Sequence, residues 1–201
     1  MKIYLASGSP RRRELMAQIG LNIEVVVSDA DEGCNEKNPA MLVKELSRRK
    51  AFAVAEELMK EKAGENKESR ESFIVIGADT VVSCDGNVLG KPKDKDGAVL
   101  MLKNLSGRTH EVYTGVTICC KKGENLSSNT FYECTKVSFF DMSDGEIEEY
   151  VNTNDPLDKA GAYGIQGFCA RYISGIQGDY NNVVGLPVGR LYQEIKELLH
   201  E

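Results

Sequence analysis

Apolar residues fall in short blocks along the chain, and the period changes from block to block. Residues 3–7 form a brief apolar run that reads as a buried strand and breaks at Gly8. Ser9 followed by Pro10 marks a helix start, because proline at the first helical position gives up a donor that has no partner there anyway. That helix is expected to reach Ile19 and close on Gly20. A second strand is expected over residues 23–27. From Asn38-Pro39, the apolar residues Leu42, Val43, Leu46, Phe52, Ala53 and Leu58 recur at three- and four-residue spacing, which predicts a long helix. Residues 60–72 are charged and almost free of apolar side chains, so a mobile surface loop is expected there.

Residues 73–76 are a buried-type strand running into Gly77-Ala78-Asp79-Thr80, and Asp85-Gly86 is a hairpin signal. A helix over 95–105 stops at Ser106-Gly107. Two strands follow, over 111–119 and 131–140, joined near Gly123. Ser143-Asp144-Gly145-Glu146 is a capping box ahead of a helix to Val151. The chain closes on an amphipathic helix over 187–199. Strands alternating with helices, plus hairpins, imply an α/β fold with a mixed, twisted sheet.

Composition narrows the chemistry. At 201 residues and 41% hydrophobic, the chain can build one sizeable core or two small lobes sharing a sheet. Its 25 Lys and Arg against 31 Asp and Glu leave a net charge of −6, so no global field collects nucleic acid or an anionic membrane. Any phosphate must be met by a local cluster. The opening apolar run is too short for a signal-peptide core or a span, and the protein is expected in the cytosol. Six cysteines without a C-x-x-C spacing are expected to be reduced and mostly buried. Two histidines offer no zinc ligand set, whereas carboxylates can hold a hard cation.

Four clusters can carry chemistry. Ser7-Gly8-Ser9-Pro10-Arg11-Arg12-Arg13 lies at a strand-to-helix turn, where backbone donors, hydroxyls and guanidinium forks can hold an anion. The plain alternative is a capped helix with a solvated first turn, but three arginines oppose the helix dipole there unless an anion faces them. Asp79, where a buried strand opens into a crevice, suits metal binding or activation of water. Taken alone it reads more readily as a turn residue capping its own backbone. Lys91 of Gly90-Lys91-Pro92, with Lys44 and Lys50 beside Glu45 on the long helix, can meet phosphate oxygens as point charges, although each taken singly reads first as a solvated surface charge, as does Glu32 in its acidic loop. Residues 155–167 combine glycines, fixed charges and Gln166 in a loop whose backbone can approach a ligand, with an amide suited to reading a base edge.

Leu5-Ala6-Ser7-Gly8-Ser9-Pro10-Arg11-Arg12, Gly77-Ala78-Asp79-Thr80, Gly90-Lys91-Pro92, Leu105-Ser106-Gly107-Arg108-Thr109-His110 and Asp158-Lys159-Ala160-Gly161-Ala162-Tyr163-Gly164-Ile165-Gln166-Gly167 together resemble the Maf family in order and approximate spacing. Gly185-Leu186-Pro187 also fits. The resemblance implies a single domain over 1–201, elongated and two-lobed around a central cleft, similar to inosine triphosphate pyrophosphatases. It implies house-cleaning hydrolysis of nucleoside triphosphates to monophosphate and pyrophosphate, a divalent cation (Mg²⁺ or Mn²⁺), and a homodimer.

By the same resemblance Asp79 is the general base and, with Glu32, a metal ligand. Ser7, Arg11, Arg12, Lys50 and Lys91 line the phosphate region, and Thr80 and Gln166, with an arginine of the first motif, fall where base preference is set. Ile-Gln-Gly at 165–167 resembles the branch acting on dTTP and UTP, and a neutral amide suits the imide edge of thymine or uracil. The competing expectation is a non-catalytic regulator of septum formation or cell division that binds a nucleotide or a partner protein.

Overall fold

In a computed structural model, the structure describes residues 1–64 and 72–199, with side chains described for all of these except 61–64. The elements are β1 (Lys2–Ala6), α1 (Pro10–Gln18), β2 (Glu24–Val25), α2 (Pro39–Gly64), β3 (Phe73–Cys84), β4 (Asn87–Leu89) and α3 (Lys95–Leu105). There follow β5 (Thr109–Lys122), β6 (Asn125–Phe139), α4 (Asp144–Asn152), β7 (Ile173–Gln177), α5 (Tyr180–Val184) and α6 (Val188–Leu199). One sheet runs β2-β1-β3-β5-β6-β7, with β4 beside β3. β1 pairs in parallel with β2 and β3, and every other pairing is antiparallel. The expected α/β fold with a mixed sheet flanked by helices is therefore present.

The two faces of β3 separate two cores, because side chains alternate along a strand. Ile74, Ile76, Ala78 and Val82 point to the larger core with Leu15 and Met16 of α1, Leu102 of α3, Tyr150 of α4 and Leu191 and Ile195 of α6. Phe73 and Val75 point the other way, onto Ala51, Val54, Ala55 and Leu58 of α2. Each fully buried aliphatic or aromatic side chain contributes about 1.5–3 kcal/mol. Two glycines let α2 lie directly on the sheet. A Cβ at Gly77 would come within 2.5 Å of the Ser47 carbonyl oxygen, and one at Gly115 within 2.2 Å of the Val43 carbonyl oxygen. The Ser47 and Thr117 hydroxyls, 3.0 Å apart and buried, close the same seam.

Three expectations are corrected. β3 does not end at Asp79-Thr80; it continues unbroken to Cys84, because Gly115 and Thr114 of β5 pair with those two residues and keep them extended. α2 continues to Gly64, past the expected start of the charged loop, and residues 65–71 of that loop lie outside the described residues. The segment 155–167 is no open loop but carries short 3-10 turns, Asp155–Asp158 and Ala160–Ala162, with a third, Gly167–Tyr172, beyond it. The capping box at Ser143 and Glu146 forms with both of its hydrogen bonds. Cys84, Cys119, Cys120 and Cys169 are buried, and Cys34 and Cys134 are half-buried. No helix among the described residues is long and apolar enough to cross a membrane.

His110 is almost fully buried, its Nε2 lies 2.7 Å from the Tyr163 hydroxyl, and its Nδ1 has no partner. Burial pulls its pKa down to about 4. The folded protein thus keeps a neutral imidazole while the unfolded chain takes up a proton near pH 6.5. Stability is full above that pH and should fall by up to roughly 3 kcal/mol as pH drops through this window. Urea midpoints measured from pH 7.5 to 4.5 should show the fall in the wild type and a shallower one in His110→Phe. Parallel pH curves for the two proteins would remove His110 from the account.

Candidate active site

The site is built around an interruption in the sheet. On one edge of β3, β1 pairs only as far as Gly77 and β4 only from Val82, so residues 78–81 have no strand neighbour on that side. Unpaired main-chain acceptors need partners, and Arg12 supplies one. Its guanidinium donates through Nη1 to the Ala78 carbonyl oxygen (2.8 Å) and the Ser7 hydroxyl (3.1 Å), through Nη2 to the Thr80 hydroxyl (3.0 Å), and through Nε to the Gly185 carbonyl oxygen (2.8 Å). Four of the five donors of an arginine are thereby engaged by protein. Burial lowers its pKa and the charge of Asp79 opposes that shift. Arg12 is a cross-link joining α1, β3 and the turn at Gly185, with one donor left over. Thr80, whose hydroxyl also lies 2.9 Å from that of Thr114, belongs to the same network.

Asp79, next to Thr80, projects to the opposite face, toward α2. There the Lys50 ammonium donates to Asp79 Oδ1 at 2.6 Å and pairs with Glu32 Oε1 at 2.7 Å. Lys50 and Asp79 are largely buried, whereas Glu32 reaches in from solvent. The hydrogen bond from Lys50, reinforced by its charge, holds the Glu32 carboxyl below the ordinary range. Arg49 fixes the loop around Glu32, donating from Nη1 to the carbonyl oxygens of Asp31 (3.2 Å) and Gly33 (2.9 Å). Sequence reasoning missed Arg49, because its acceptors are main-chain atoms in an irregular loop.

The turns of 155–167 border the same cavity. α1 presents Arg11 and an N-cap, Ser9, whose hydroxyl makes no capping bond, so its first-turn donors face the cleft without a side-chain cap. Ser7, Arg11, Arg12, Glu32, Lys50, Asp79, Thr80, Lys91 and Gln166 all line one cavity of ≈ 900 Å³. Arg13 is exposed and does not line it, nor does Lys44. Glu45 is turned to Arg48 and Arg49 on the outer surface of α2. Tyr163, Lys159 and Gly185 also form the wall. All three lie in motifs that the sequence marks out, but none is singled out there as a site residue.

The metal question turns on the donor set. Among the described residues no three His, Cys, Asp or Glu side chains converge as a protein-only metal centre. Asp79 and Glu32, both within reach of one ammonium, nevertheless fit Mg²⁺ or Mn²⁺, which is commonly bound through one or two carboxylates with substrate phosphates and water completing the shell.

The model of the family described as Maf-like protein matches residues 2–198. The chain belongs to the Maf family. Among curated Maf relatives, "dTTP/UTP pyrophosphatase" of Agathobacter rectalis is 49% identical over 200 residues, covering 98% of this chain and 97% of its own. The protein of the same name from Lachnoclostridium phytofermentans is 45% identical, covering 98% and 94%. That of Carboxydothermus hydrogenoformans is 48% identical, covering 98% of both chains. A solved structure, the Staphylococcus aureus Ham1 protein, is similar to this Maf chain with a TM-score of 0.45 and 13% identity, over 98% and 99% of the two chains.

Proposed function

We propose that the chain hydrolyses dTTP and UTP to the monophosphate and pyrophosphate, in a house-cleaning role. The observation that carries this reading is the convergence of Asp79, Lys50 and Glu32 with Arg11, Lys91 and Gln166 on one cavity. A carboxylate among cations, at one end of a cleft with an amide in its wall, suits a triphosphate whose base is read separately from its phosphates. The relatives named dTTP/UTP pyrophosphatase, aligned over nearly the whole chain, support the same substrates.

In this reading Arg11, Lys91 and the N-terminus of α1 offset the charge of the triphosphate. Asp79 takes the proton of a water attacking the α-phosphorus, and Lys50 holds that carboxylate in place while adding positive charge beside the phosphates. Arg12 holds the walls and spends at most one donor on the substrate. Asp79 and Glu32 would hold the divalent cation, which when bound supplies charge neutralisation to the leaving pyrophosphate. A homodimer in the cytoplasm belongs to the same reading.

The test is pyrophosphate release from a panel of canonical and modified nucleoside triphosphates with Mg²⁺ and with Mn²⁺. The products should be monophosphate and pyrophosphate, with no diphosphate formed on the way; diphosphate and inorganic phosphate would overturn the reaction assigned. Gln166→Glu replaces a group that donates and accepts by one that only accepts. Its kcat/KM on dTTP and UTP should fall about 10–100-fold further than on purine nucleotides, the cost of an unpaired polar edge. Equal losses on all nucleotides would remove Gln166 from base reading.

A further inference from the structure

The wall carrying Gln166 is held by a polar chain, anchored on the buried Tyr150 and Lys159, that the proposed chemistry does not use. Lys159 is nine-tenths buried, and its ammonium donates to the Asp155 carbonyl oxygen (2.6 Å), Asp155 Oδ1 (2.8 Å) and Asp158 Oδ1 (2.7 Å). An ammonium has three donors, and all three are spent on protein, so Lys159 lines the cavity without a proton to offer a ligand. The other oxygen of Asp155 accepts from the Tyr150 hydroxyl at 2.8 Å. That hydroxyl in turn accepts the Gly164 N–H at 3.1 Å, two residues before Gln166. The Lys159 stem lies so close to Gly164 that a Cβ there would stand 2.7 Å from Cε.

The same knot reaches the phosphate side. Asp158 pairs with Arg11 at 3.8 Å, and the Gly161 N–H donates to the carbonyl oxygen of Gly90, the neighbour of Lys91, at 3.0 Å. Tyr150 is fully buried on α4, with its ring stacked on Phe168 at 5.6 Å between centroids. A 3-10 turn alone is a weak anchor. These contacts fix its backbone to a core helix at one end and to the phosphate-binding turns at the other.

We infer that Tyr150, Asp155 and Lys159 are positioning residues that hold the Gln166 turn in register with the phosphate end, so that base selectivity depends on groups that never touch the nucleotide. The inference rests on the proposed reading of Gln166. It separates two roles for buried charge in one cleft: Lys50 serves the reacting end, and Lys159 sets the geometry of the reading end.

Tyr150→Phe keeps the ring and its stacking while deleting the hydroxyl, and Lys159→Met keeps the stem while deleting the charge. Each full-length variant, with Gln166→Glu alongside, is assayed on dTTP and dGTP with Mg²⁺, and thermal midpoints are recorded. Tyr150→Phe should raise KM for dTTP about 10-fold, the usual size of one lost buried hydrogen bond. Its kcat should stay within about two-fold, and the dTTP-to-dGTP ratio of kcat/KM should fall with the rise in KM. Lys159→Met should lower that ratio at least as far, and if it does not fold, Tyr150→Phe decides. Equal losses on both nucleotides, or a change confined to kcat, overturn the relay provided that Gln166→Glu still moves the ratio. If Gln166→Glu leaves the ratio unmoved, the reading of Gln166 fails and the relay with it.

Discussion

Asp79→Asn is expected to lower dTTP turnover by about two orders of magnitude or more, the usual contribution of a positioned general base. The substitution is close to isosteric, and its amide oxygen can still accept from Lys50, whose ammonium stands 2.6 Å from Oδ1 in the wild type. What it removes is the capacity to take a proton and half of the carboxylate pair suited to a divalent cation. The loss should therefore lie in kcat, with the thermal midpoint little changed because the strand and its pairing to Gly115 survive. Steady-state pyrophosphate release with Mg²⁺ measures it. Normal turnover by the Asn variant would falsify the assignment of the base.

Gly115→Ala should be the most damaging single-methyl change in the site's scaffold. The added Cβ would stand 2.2 Å from the Val43 carbonyl oxygen and 2.8 Å from the Lys44 amide nitrogen, both main-chain atoms of α2 that cannot rotate aside. Overpacking of this kind costs about 1–3 kcal/mol, and more where backbone must move. For a chain of this size that corresponds to a fall of about 2–12 °C in Tm. Lifting α2 also withdraws Lys50 from Asp79, so activity should fall beyond what the lost stability explains at a temperature where the variant is folded. A Tm within a degree of wild type would mean that α2 does not rest on Gly115 as described.

Much of this architecture is legible in the residues themselves. The boundaries of α3 follow from its apolar spacing and a stop at Ser106-Gly107, and α4 follows from a capping box that forms as written. What could not be read depends on partners far away in the chain. Asp79-Thr80 looks like the end of a strand because those residue types favour turns, and only β5 opposite keeps them extended. β7 is mostly exposed and contains Gly175, so it has no apolar alternation to betray it. Residues 155–167 read as a loop from their glycines, while the bonds that fix them run to Tyr150, Gly90 and the Lys159 ammonium.

The site divides along the same line. The types and order of Ser7, Arg11, Asp79, Lys91 and Gln166 suggest a shared task before any coordinates, because each is chemically suited to a charged nucleotide. The role of Arg12 is hidden, since its acceptors include carbonyls 66 and 173 residues away, at Ala78 and Gly185. From sequence it looks like one more phosphate ligand; in the fold it fastens the interruption in the sheet.

In the proposed function, Asp79 lies inside a long paired strand and Gln166 just ahead of the turn Gly167–Tyr172, so the reacting group and the group reading the base rest on different elements. In that reading Gln166→Glu is expected to shift nucleobase preference while β3 and its pairing to β5 stay as they are.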